Sequence, residues 1–130
     1  MPTYAHLTDA GMDIYLTEDV VIHPGETKLI PTGIKVAIPL GYELQVRPKS
    51  GRALKTKLRI ANTPGTIDAD YRGEIGVILI NLSQDSFVIN DGERIAQLVI
   101  AAYEQAEFEA VESLDQTERG EGGFGHSGMQ

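Results

Sequence analysis

Ile34, Val36 and Ile38 alternate with Lys35 and Ala37, and beyond the bend at Pro39 and Gly41 the residues Tyr42, Leu44 and Val46 alternate with Glu43, Gln45 and Arg47. A period of two sends successive side chains to opposite faces, so both stretches read as half-buried strands. Pro24-Gly25 and Asn90-Asp91-Gly92 are further turn signals, and Ile75 to Leu82 is nearly all apolar, as in a strand covered on both faces. Many short strands with frequent turns predict an all-β sandwich or jelly roll, and 130 residues suffice for one such domain but not two. One internal stretch, Ser50 to Lys55, invites a short helix, which Ser50 would cap.

After Tyr103 the character changes. An acid-rich run from Glu104 to Glu121 overlaps the glycine-rich Arg119-Gly-Glu-Gly-Gly-Phe-Gly-His-Ser-Gly128, which has no means of building a core of its own. The expected organisation is one domain over 1–130, with a folded β core over about 1–116 and a flexible arm over about 117–130 that orders only against something else.

The absence of cysteine excludes disulfides, zinc ribbons and thiol catalysis, and His6, His23 and His126 are too scattered for a metal cluster, so any metal would be held by oxygen. With no apolar run near the ~18 residues of a membrane span and no basic leader before an apolar stretch, a soluble cytoplasmic protein without a membrane partner is expected. A net charge of −8 disfavours a nucleic-acid partner. Arg47, Lys49, Arg52, Lys55, Lys57 and Arg59 nevertheless form a basic island, which suits a small polyanion; a solvated basic loop is the other reading.

Chemistry concentrates in Asn62-Thr-Pro-Gly-Thr-Ile-Asp-Ala-Asp-Tyr-Arg-Gly-Glu-Ile-Gly76, where turn formers hold Asp68, Asp70 and Tyr71 on tight backbone beside an apolar strand. An ionised carboxylate there can orient and deprotonate a water, although an Asp in a turn often bonds only its own backbone. Ser50 and Gly51 offer a hydroxyl and free amides to phosphate oxygens, or form an ordinary turn. Gln97 shares a strand face with Ile95 and Val99 and needs a partner, be it a core carbonyl, a ligand or a neighbouring subunit. In the arm, Phe124 among glycines can stack on a planar base while Arg119 reaches a terminal phosphate, the makings of a lid.

Five segments in order carry a resemblance: Ala10-Gly-Met-Asp-Ile-Tyr-Leu16, Arg47-Pro-Lys-Ser-Gly51, Asn62 to Gly76, Gly92-Glu-Arg-Ile-Ala-Gln97 and Arg119 to Gly128. Together they span essentially the whole chain, which resembles the trimeric dUTP pyrophosphatases. The resemblance implies a jelly-roll homotrimer that hydrolyses dUTP to dUMP and pyrophosphate, limiting uracil incorporation into DNA and supplying dUMP for thymidylate synthesis. Each of three shared sites would take Ser50, Gly51 and Gln97 from one subunit for the phosphates, the base pocket from a second, and the arm from a third. It further implies a β-hairpin pocket that reads uracil through Asn62, Gly65, Thr66, Ile67 and Gly76, largely by backbone groups. Tyr71 would lie under the sugar and exclude a 2′-hydroxyl. Asp68 falls on the catalytic position, Arg119, Phe124 and Gly125 on the closing arm, and Asp13 on a supporting position. Mg2+ is implied as cofactor, held by triphosphate and water with no direct protein ligand.

Two positions depart from that pattern. Lys49 stands where an Arg is usual, and an ammonium cannot form a bidentate fork, so Arg52 is expected to substitute at the phosphates. His126 stands where a Ser is common. The nearest rival, a dCTP deaminase of the same fold, needs a Glu in the strand after the pocket, about where apolar Ile78 sits. The other rival is a noncatalytic nucleotide-responsive binding protein.

Overall fold

A computed structural model describes residues 1–128. Along the chain, β1 spans Gly11–Tyr15, β2 Val20–Ile22, β3 Thr27–Pro31, β4 Tyr42–Arg47, α1 Ser50–Lys55, β5 Leu58–Ile60, β6 Gly65–Ile67, β7 Gly76–Asn81, β8 Phe87–Ile89 and β9 Arg94–Ala102. Three antiparallel sheets, ordered β1-β9-β4-β6, β2-β8 and β3-β7-β5, close on one apolar core as an all-β jelly roll with one short helix. None of the helices described is long and apolar enough to cross a membrane.

Alternation accounts for most of the strands. In β4, Leu44 and Val46 enter the core, while Tyr42, at the strand's start, stays exposed. In β7, buried Val77 and Leu79 alternate with half-buried Ile78 and Ile80; β3 and β5 pair with both edges of the strand, but only one of its faces is fully covered, not both as expected. Each fully buried Ile, Leu or Val contributes roughly 1.5–3 kcal/mol.

The stretch 34–38 corrects the expectation of a strand. Its side chains do alternate, with Ile38 buried and Ile34 and Val36 packed on the core, but the ladder stops early. Thr32 N–H donates to the Ile75 carbonyl at 3.3 Å and Ile75 N–H to the Ile34 carbonyl at 2.8 Å, after which no described strand lies alongside. Gly33 at φ +72°, a left-handed conformation that favours glycine, turns the backbone out of register. The helix forms over Ser50–Lys55 as expected, but Lys49 takes the N-cap position and no side chain caps it, so Ser50 is the first helical residue rather than the cap.

Register sets the site. β9 places Gln97 opposite Asp13 of β1 on one side and opposite Arg47 of β4 on the other, and α1 follows immediately from β4. Three of the sequence motifs therefore meet at one end of the four-stranded sheet.

Candidate active site

The segment 62–76 is open, not the closed β-hairpin expected. β6 pairs with β4, with Gly65 opposite Val46, whereas β7 pairs with β3 and β5. A Cβ on Gly65 would stand 3.2 Å from Val46 Cβ, so a glycine lets β6 lie close to its neighbour. Between β6 and β7 the chain turns tightly. Tyr71 N–H donates to the Asp68 carbonyl at 3.1 Å, the Arg72 guanidinium to the Ala69 carbonyl at 2.7 Å, and the Tyr71 hydroxyl to the Glu74 carbonyl at 2.8 Å.

This turn forms one wall of a cavity of about 640 Å3 lined by Thr66, Ile67, Asp68, Tyr71, Glu74 and Gly76, with Leu29, Pro31, Ile75 and Ile78 behind them. Thr32 Oγ1 donates to the Ile75 carbonyl at 2.6 Å and fixes the floor. The Asp68 carboxylate is exposed and accepts no hydrogen bond from the described residues, so its lone pairs are available to a water. Asp68 reaches a second, more polar cavity as well, shared with Asp70, Glu43 and Glu104. Asn62 and Gly65 are not on the wall of the first cavity: Asn62 is exposed at the preceding turn, and Gly65 is buried against β4. Ile78 faces the cavity with an apolar side chain where a deaminase would need a carboxylate.

The cationic edge lies apart. Lys49, Gly51, Arg52, Lys55 and Arg94 border a cavity of about 460 Å3. Lys49 and Gln97 border another of about 340 Å3 with Asp13 and Gly11. Asp13 is 3% exposed and accepts from Lys49 Nζ and, at 3.2 Å, from Arg94 Nη1, so this buried carboxylate is satisfied twice by opposite charge. Gln97 Nε2 donates to the Pro48 carbonyl at 2.9 Å, so a backbone carbonyl partners this amide. A Cβ on Gly11 would overlap the Gln97 carboxamide, so the glycine makes room for that side chain.

Arg52 does not match its expected role. Its Nε and Nη2 donate to the Arg94 carbonyl at 3.2 and 2.9 Å, and Nη2 also pairs with Glu93 Oε2 at 3.0 Å, so most of the fork expected at the phosphates is engaged by the protein itself. The Arg52 guanidinium, followed by the Asn90 amide, holds the Glu93 carboxyl below its ordinary range. Sequence reasoning quoted Glu93 and Arg94 within a motif without a role. The signal available was opposite charge in two motifs, but not which charges would meet.

The arm lies over neither the pocket nor the cationic edge. Arg119 Nε donates to the Gly122 carbonyl, Gly120 N–H to Thr117 Oγ1 at 3.1 Å, and Arg119 shares a shallow cavity with His126 and Ser127. Phe124, at φ +46°, is fully exposed, and neither it nor Arg119 nor Gly125 lines the Asp68 cavity. The chain therefore displays a pocket, a cationic edge and an arm without bringing them together.

The family model described as dUTPase matches residues 1–128. A deoxyuridine 5'-triphosphate nucleotidohydrolase of Syntrophotalea carbinolica is 56% identical over 131 residues, covering 99% of this chain and 89% of that protein. Among solved structures, the dUTPase of Staphylococcus bacteriophage 80alpha with dUpNHpp is 37% identical and superposes with a TM-score of 0.91 over 99% of this chain and 92% of its own. A mutant dUTPase from phage phi11 of S. aureus, described for the coordination of a structural Mg(II) ion, is 32% identical with a TM-score of 0.81 over 89% of this chain and 92% of its own.

Proposed function

This chain belongs to the dUTPase family and is a dUTP nucleotidohydrolase, and from that premise we propose that Asp68 orients the water that attacks the α-phosphorus of dUTP. The observation that supports this most is the unpaired Asp68 carboxylate on the wall of the same cavity as Tyr71 and β6. Ionised and free of protein donors, it accepts a proton as the water oxygen bonds to phosphorus. The bond from the α-phosphorus to its bridging oxygen breaks, and pyrophosphate leaves as dUMP forms.

Selection follows from the walls. Backbone groups of Thr66, Ile67 and Gly76, which line the cavity, read the uracil edge, with Asn62 and Gly65 holding the turn that precedes them. A donor placed at the uracil O4 meets a donor in cytosine and leaves both unpaired, which costs about 1–3 kcal/mol. The Tyr71 ring, braced by its bond to the Glu74 carbonyl, lies under the sugar and leaves no room for a 2′-hydroxyl.

The phosphate chain is received by the Ser50 hydroxyl and the Gly51 amide, since the first amides of a helix have no acceptor within it, together with the Lys49 ammonium and Gln97. Lys49, Gly51 and Gln97 border cavities other than the one that holds Asp68, and no residue of the arm lines any of them; we assign a homotrimer in which a second subunit supplies the pocket and a third supplies Arg119, Phe124 and Gly125. Among the described residues no group of three His, Cys, Asp or Glu side chains is placed to hold a metal ion, and the oxygen donors at hand suit an ion bound chiefly by the triphosphate and water. Bound in that way, Mg2+ would gather the phosphates and spread the charge of the leaving pyrophosphate.

Incubation with Mg2+ and dUTP, dCTP, dTTP or UTP in turn, resolving nucleotides and pyrophosphate, tests this account. It predicts dUMP and pyrophosphate from dUTP alone; deoxyuridine products from dCTP, or equal cleavage of UTP, would contradict it.

A further inference from the structure

α1 carries Ser50 and Gly51, yet none of its residues is buried. Helices shorter than about 12 residues are marginal alone, and apolar packing does not hold this one, so its position depends on specific polar ties. Gln97 bonds the Pro48 carbonyl just before the helix and Arg59 the Thr56 carbonyl at its C-cap, and two further ties use charged side chains at its start. Lys49, at the N-cap, rests on Asp13. Arg52, one turn along the helix's start, bonds twice to the Arg94 carbonyl at the head of β9 and once to Glu93 in the β8–β9 turn.

Glu93 is itself built in. Its Oε1 accepts from the Asn90 backbone N–H and from Asn90 Nδ2, both at 3.1 Å, leaving Oε2 aimed at Arg52. The Arg52 side chain is only 17% exposed in this arrangement. An anion at the neighbouring phosphate groups would have to draw the guanidinium off three protein contacts before gaining its fork.

We propose that Arg52 and Glu93 are positioning residues for dUTP hydrolysis, a clamp that fixes α1 on the β8–β9 turn and so sets where the Ser50 hydroxyl and Gly51 amide meet the phosphate chain. The inference rests on the function proposed above and replaces the expected role of Arg52 as a direct phosphate ligand. The pair acts through α1, so losing either member releases the same helix. A direct ligand would behave otherwise, because removing Glu93 would free its fork instead of disabling it.

A double-mutant cycle separates the two. We would measure kcat, the KM for dUTP and inhibition by dUMP for wild type, Arg52→Ala, Glu93→Gln and the double variant; Gln retains an acceptor for Asn90 while removing the charge. The clamp predicts that each single change raises KM for dUTP about tenfold, that dUMP inhibition weakens less, and that the double variant is no worse than either single, as coupled residues behave. Arg52→Lys, which keeps one charged contact, should fall between wild type and Arg52→Ala and guards against a variant that does not fold. An unchanged KM in Glu93→Gln beside a raised KM in Arg52→Ala, or effects that multiply in the double variant, would overturn the clamp while leaving dUTP turnover by wild type intact. Wild type that failed to cleave dUTP would overturn the reading of the site, and this role with it.

Discussion

The Lys49 ammonium rests on the carboxylate of Asp13, joining the residue that precedes α1 to the middle of β1. Arg94 supplies a second cation to the same carboxylate. Asp13 thus neutralises the cationic edge from beneath, and its role is support. Asp13→Asn would leave two cations facing a neutral, nearly buried amide. The expected cost is about 2–3 kcal/mol, read as a lower urea midpoint, with the partial exposure of Arg94 keeping it below the value for a fully buried pair.

Asp68 is in the opposite situation, exposed and without a side-chain partner among the described residues. Asp68→Asn should therefore leave stability within about 0.5 kcal/mol of wild type, while lowering turnover about 100-fold or more with nucleotide binding retained. Turnover and calorimetric binding of a nonhydrolysable dUTP analogue check both halves, and an unchanged rate would remove Asp68 from the chemistry.

Tyr71 should govern the choice of sugar. Tyr71→Ala is expected to raise cleavage of UTP relative to dUTP. The adjacent glycine gives an independent test, since a Cβ on Gly73 would fall 2.4 Å from the Tyr71 hydroxyl oxygen. Gly73→Ala must displace the ring without altering it chemically, and should move the ratio of UTP to dUTP cleavage in the same direction; a ratio unmoved by both variants would place the sugar gate elsewhere.

Glu93 gives the acid response a direction. Its folded-state pKa lies below the ordinary 4.5, chiefly because of the Arg52 hydrogen bond, so its contribution to stability is complete above that value and is lost as pH falls through the folded value. Wild type should lose more stability than Glu93→Gln on acidification, with the difference opening only below pH 4.5. Urea midpoints for the two proteins across that range measure it, and parallel curves would refute the ion pair's contribution.

What the sequence discloses divides by distance along the chain. β4, β7 and α1 follow from local period and turn chemistry, which act within a few residues. The same local pattern over 34–38 misleads, because alternation reports burial but not whether a partner strand lies alongside. The pocket residues stand out as a turn-rich run, yet its open form depends on β6 choosing β4 as partner, a nonlocal decision. Arg52 shows the limit most clearly. Its charge is plain in the sequence, but its engagement by Glu93, across 41 residues, depends on the fold.

In the proposed homotrimer a working site needs the pocket of one subunit and the arm of another. Subunits carrying Asp68→Asn should be inactive through the pocket, and subunits cut after residue 116 should fold normally and be inactive through the arm. Co-expressing the two under different affinity tags and assaying dUTP cleavage by the doubly selected assembly tests the claim directly. Shared sites predict recovered activity, because a mixed assembly can pair an intact Asp68 with an intact arm from its neighbour. A mixed assembly as inactive as its parents would contradict it.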